Sequence, residues 1–132
     1  MKLLWKLWPL LLFHCAIAQS DRGLPFVTNF PTSVYRQGPQ NFTILQSKEG
    51  LLYVGNNNGL MVYDGVDWRL ITVSNKSEVH SLAQDDEGTL YVGAQGEFGY
   101  LEKNKFGNFE YHSLLHLLDS SYRNFNDVWS IH

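Results

Sequence analysis

The chain has 132 residues, 44% of them apolar and 14% aromatic; this is material for the core of one ordinary domain and excludes a disordered segment. A formal charge of −3 and a pI near 5.9 exclude an electrostatic nucleic-acid binder, since no basic footprint exists. Aromatic richness with only 17% charged residues points to β structure.

The chain begins with a short basic start, Lys2 and Lys6, followed by the almost wholly apolar run Leu7 to Ala18, in which Ala16-Ile17-Ala18 places small residues where a signal peptidase reads. Residues 1–18 therefore read as a secretory signal, and the protein as exported, periplasmic or extracellular. A membrane anchor competes with this reading, but the run is about a dozen residues and contains Pro9, whereas a bilayer span needs about twenty. No later run is a candidate span. A lipoprotein reading would make Cys15 the acylated residue, a role for which the bulky His14 before it is poorly suited. Removing the signal leaves 8 basic against 13 acidic residues, a net charge of −5, and no cysteine. That excludes a thiol nucleophile, a cysteine metal site and disulfide staples, so packing alone, or parts of the protein outside this chain, must stabilise the exported portion.

Residues 19–39 form a leading segment, after which the sequence repeats itself. Gln46-Ser47-Lys48-Glu49-Gly50-Leu51-Leu52-Tyr53-Val54-Gly55 aligns with Gln84-Asp85-Asp86-Glu87-Gly88-Thr89-Leu90-Tyr91-Val92-Gly93 at an offset of about 38, with roughly seven identities in ten. The first unit covers residues 40–77 and the second, with an insertion, residues 78–126. A third begins within 127–132, where Val128-Trp129-Ser130-Ile131 echoes Val79-His80-Ser81-Leu82.

Each unit reads as a four-stranded antiparallel meander. In the first, strands over Asn41 to Gln46, Leu51 to Gly55, Leu60 to Tyr63 and Trp68 to Thr72 are separated by turns at Lys48-Glu49-Gly50, Asn56-Asn57-Asn58-Gly59 and Asp64-Gly65. In the second, the strands run over Val79 to Gln84, Leu90 to Gly93, Glu97 to Lys103 and Asn108 to Ser113, and Leu114 to Leu118 carries one helical turn. Both parities of Leu51-Leu52-Tyr53-Val54 are apolar, so both faces of that strand want cover. Sheets stacked face to face provide it. The fold class is all-β: propeller blades, about two and a half repeats, an incomplete propeller because closure takes four or more blades. A small β-sandwich is the competing architecture.

Four stretches, Gln40-Asn41-Phe42, Gly50 to Leu60, Tyr63-Asp64-Gly65-Val66-Asp67-Trp68 and Gly93-Ala94-Gln95-Gly96-Glu97-Phe98-Gly99-Tyr100, together resemble the N-terminal end of the two-component-regulator propeller family. The resemblance spans nearly the whole exported part and is most specific from Gly93 to Tyr100. It implies an exported sensor propeller of a bacterial hybrid histidine kinase or LuxR-type transcriptional regulator, possessing in its full form a triple-tyrosine, immunoglobulin-like module, a membrane helix and a cytoplasmic output domain; several members sense glycan fragments. None of those other parts is recognisable here, so the expected role is a ligand-binding sensor segment, truncated or N-terminal, and the expected partners are an oligosaccharide or other small ligand and the remaining blades or further copies.

Propellers bind ligands through inter-strand loops at one end of the sheets. Asn57 and Asn58 in the first unit, and Gln95 and Glu97 in the second, occupy equivalent loops and are the candidate ligand contacts, although Asn also serves turns. Tyr53, Tyr91, Trp68, Tyr100 and Trp129 are able to stack on sugar rings, but the equivalence of Tyr53 and Tyr91 favours packing between units. His112 and His116 are four apart without the Glu or third ligand of a zinc helix, so no metal site is assigned. Asp85-Asp86-Glu87-Gly88 matches a Lys-containing turn in the first unit, which favours a turn over calcium. His80 matches Phe42 and reads as buried. Asn41-Phe42-Thr43 and Asn75-Lys76-Ser77 match the glycosylation sequon, expected to stay unmodified in a bacterial protein. No nucleophile elbow, phosphate loop or cofactor motif is present, and the expectation is a non-enzyme without a cofactor. The alternatives are a polysaccharide-acting propeller enzyme, with Asp64, Asp67, Glu97 or Glu102 as its acids, and a structural interaction scaffold.

Overall fold

The computed structural model describes residue 23 and residues 26–132; residues 1–18, expected to be a secretory signal, and Cys15 among them lie outside the described residues. The protein is all-β. One four-stranded antiparallel sheet has the order β1 (Asn41–Gln46), β2 (Leu52–Asn56), β3 (Gly59–Tyr63), β4 (Trp68–Ile71), and the other β5 (Val79–Gln84), β6 (Leu90–Ala94), β7 (Glu97–Lys103), β8 (Phe109–Ser113). Among the described residues, no helix is long and apolar enough to cross a membrane.

The ladders repeat. Tyr53 pairs with Val62 and Leu52 with Tyr63, just as Tyr91 pairs with Tyr100 and Leu90 with Leu101. Even the bulge recurs, between Asn41 and Thr43 in β1 and between Val79 and Ser81 in β5. The turns follow from residue chemistry: Gly50 and Gly88 adopt φ of 88° and 94°, which a side chain would strain. The β2–β3 turn is tighter than the four-residue sequence pattern implies, because Asn56 pairs with Gly59 and leaves Asn57 and Asn58 at its tip. Leu115–Leu117 forms the expected helical turn, of 3-10 type. The leading segment adds α1 (Thr32–Tyr35), four residues long and so without a periodic signature in the sequence.

The main core lies between the two sheets. The first sheet turns Tyr53, Leu60 and Val62 inward, and the second turns Leu90, Val92, Ala94 and Leu101 toward them. By register, Tyr53, Leu60 and Val62 correspond to Tyr91, Phe98 and Tyr100, which sit half-buried on the far face of the second sheet. Val54, the counterpart of Val92, lies on the far face of the first sheet with Met61, where Phe30, Tyr35 and Trp68 cover it. The interface is therefore head-to-tail, joining unlike faces of like units. It is also uneven: β1 lies alongside β5, whereas β4 barely meets β8.

One close approach marks each unit. A Cβ added at Gly55 would come within 2.5 Å of the Val79 carbonyl oxygen, and one at Gly93 within 2.6 Å of Val128 Cγ1. Val128 thus sits on the second unit where Val79 sits on the first. It is held there by its N–H donating to the Ala94 carbonyl oxygen (3.2 Å) and by the Ser81 hydroxyl donating to its own carbonyl (2.6 Å).

Candidate functional site

The turns β2–β3 and β6–β7 are equivalent, and each is tied to the segment entering its own sheet. The Asn57 N–H donates to the Gln40 carbonyl oxygen and the Gln95 N–H to that of Glu78, both at 3.1 Å. The four candidate contacts differ in what they offer. Asn58 is exposed, and its amide donates to Gln37 Oε1 at 3.3 Å. The Gln95 side chain is also exposed, while its backbone oxygen accepts from Asn75 Nδ2 and Ser77 Oγ, each at 2.9 Å. Asn57 points inward; its Oδ1 is buried without a hydrogen-bond partner, and any side chain at Gly38 would run into the amide.

Glu97 is the most enclosed of the four, 2% exposed, on the face that the second sheet turns toward the first. Its Oε1 accepts from the Phe98 N–H (3.0 Å) and the Ser113 hydroxyl (2.7 Å). Tyr111 stands beside it, and burial, then the neighbouring carboxylate, push that phenol well above its ordinary range. Such a carboxylate organises the end of the interface. Among the described residues, no hydrogen bond joins the Asn57–Asn58 pair to the Gln95–Glu97 pair.

The residue that the sequence reading passed over is Asn56. It is fully buried, and its Nδ2 lies 2.7 Å from the Gly38 carbonyl oxygen, 2.9 Å from that of Gln40 and 2.7 Å from Asn41 Oδ1, while its Oδ1 accepts from the Asn58 N–H. Asn56 anchors the leading segment to the first sheet. Its only signal in the sequence is the Asn-Asn-Asn-Gly run, where it reads as one more turn residue; Ala94 in the equivalent place makes no such link.

A further concavity lies elsewhere. A groove of about 420 Å³ opens on the far face of the first sheet, lined by Tyr35, Phe42, Ile44, Val54, Met61 and Trp68 among others. It is apolar, and the four candidate residues do not line it. The remaining candidates find structural places. His112 stacks on Tyr100 and lies 3.4 Å from Glu102, and His116 Nδ1 lies 3.1 Å from the Ser113 carbonyl oxygen. Among the described residues no cluster of three metal-ligating side chains occurs. Asp85 closes the β5–β6 turn by accepting from the Thr89 N–H at 2.8 Å. Burial works against its ionisation, but hydrogen bonds from Thr89, Glu87 and Gly88 outweigh that and hold its carboxyl below the usual range. His80 is buried, as its match to Phe42 implies. None of the protein-family models, curated proteins or solved structures compared with the chain matches it.

Proposed function

We propose that the chain is a ligand-sensing segment of an exported bacterial signal-transduction or transcriptional regulator, made of two propeller blades and the start of a third, as the resemblance of its repeats implies. The recurring contact carries the blade reading: Val79 against Gly55, and Val128 against Gly93, in the same register. A sandwich of two sheets needs no such continuation, whereas a ring of blades does. The close first strands and separated fourth strands favour the same choice, because blades converge toward a central channel. The remaining blades come from further repeats or from other copies. Ligand recognition falls to the end that bears Asn57, Asn58, Gln95 and Glu97, with Asn58 and Gln95 presenting side chains to solvent and Asn57 and Glu97 supporting them from within. The ligand class is an oligosaccharide or another small polar molecule, whose occupancy favours one packing of the blades over another.

Calorimetric titration of the purified chain with a panel of neutral and acidic oligosaccharides tests this. The expected result is saturable binding of one class, weakened about tenfold or more by Asn58→Ala or Gln95→Ala, since each lost polar contact is worth on the order of 1.5 kcal/mol. Absence of binding across the panel would leave an interaction scaffold as the better reading, and release of shorter sugars would point to an enzyme.

A further inference from the structure

We propose that His80 is a proton-operated latch that holds the segment Asn126–Trp129 on the second sheet. The imidazole is nearly enclosed, its side chain 3% exposed, and it faces a carboxylate on each side: Glu78 Oε2 lies 3.2 Å from Nε2, and Asp127 Oδ1 lies 3.5 Å from Nδ1. His80 Nδ1 and Asp127 Oδ1 are both buried without a hydrogen-bond partner. The ring cannot turn away from this arrangement, because the Phe42 ring meets it edge-on at 4.5 Å and Trp129 stacks on it at 4.2 Å with an interplanar angle of 3°.

A neutral imidazole carries one N–H, so it donates to one carboxylate and turns a lone pair toward the other. An imidazolium donates to both, and its charge adds attraction to the Trp129 face. The other ties of the segment do not titrate: the Val128 N–H to the Ala94 carbonyl oxygen, the Gly96 N–H to that of Asn126, and the Ser81 hydroxyl to that of Val128. Glu78, just before β5, and Asp127 are the charged groups within ion-pair distance of the ring, while β1 contributes only the Phe42 ring. The sign follows. Docking of the segment is stronger with the doubly protonated ring, which donates to both carboxylates, than with the neutral ring, which donates to one. The latch belongs to the second unit alone, because the first carries Phe42 at the equivalent position.

Amide hydrogen exchange on the 132-residue chain, followed by NMR, tests the latch. After division by intrinsic rates and by protection in the β6 ladder, the Val128 and Gly96 amides should be on the order of tenfold better protected near pH 5.5 than near pH 8. Asp127→Asn, which removes the charge at a half-buried position, and His80→Phe, which installs the first unit's residue and keeps the ring stack, should each flatten that slope. The latch is wrong if the parent protein shows no slope, if the slope survives in both variants, or if these amides are unprotected at every pH.

Discussion

The two sheets share one ladder register and differ in what surrounds them. Tyr53, Leu60 and Val62 are buried beneath the second sheet, while their counterparts Tyr91, Phe98 and Tyr100 remain half-buried. At the turn end, the Asn56 amide lies against three acceptors, on Gly38, Gln40 and Asn41, and Ala94 has no such links; Gly59 carries no side chain where Glu97 binds Ser113. At the opposite end, Asp64 and Asn104 each cap a turn, one charged and one neutral. Strand and turn chemistry thus sets a backbone that can be copied unchanged, and each copy is then fastened individually to whatever chain passes over it.

The contrast in coverage predicts the largest effect. Leu60→Ala should cost about 2–5 kcal/mol because it opens a cavity between the sheets, whereas Phe98→Ala at the equivalent position should cost about 1 kcal/mol. Urea unfolding of the two variants decides the matter: equal costs would mean that another unit or copy covers the far face of the second sheet in solution. Asn56→Ala should cost about 1–3 kcal/mol by leaving the Gly38 and Gln40 carbonyl oxygens short of a donor, and should lower the thermal midpoint. If the midpoint is unchanged, the leading segment is not anchored as described.

The smallest effect concerns the Asp64 and Asn104 turns. Hydrogen bonds from the Asp67 and Val66 N–H groups, aided by Arg69, hold the Asp64 carboxyl below its usual range. Because the folded value lies below the unfolded one, the stabilisation is present above the unfolded value and is lost as pH falls through the folded value. The advantage of the parent protein over Asp64→Asn should therefore shrink as pH is lowered from neutral to about 3, and a constant difference across that range would refute it. Asn104 has no charge to lose.

Much of the fold was legible because its signals are local. Gly50 and Gly88 mark turns, and apolar residues at both parities mark strands covered on both faces, so all eight strands were expected within a residue or two of their ends. The helix α1 was not, since four residues carry no period, nor was the tightness of the Asn57–Asn58 turn, which depends on pairing across it. The candidate site was legible only as a place. Equivalent loops put Asn57, Asn58, Gln95 and Glu97 at matching turns, but burial separates them: Glu97 lies inward because Ala94, its ladder partner, faces the other sheet. That depends on how the sheets dock, which residue types alone do not reveal.

Among the described residues, every strand pairs with its neighbour in sequence, and the connections between partners are short. Closing such loops costs little chain entropy, so each meander assembles from contacts of low sequence separation. Long-range order then comes chiefly from docking one finished sheet on the other. Refolding should accordingly have its barrier at that docking step, with Leu60 and Val92 contributing to the transition state and the hairpin turns already closed before it.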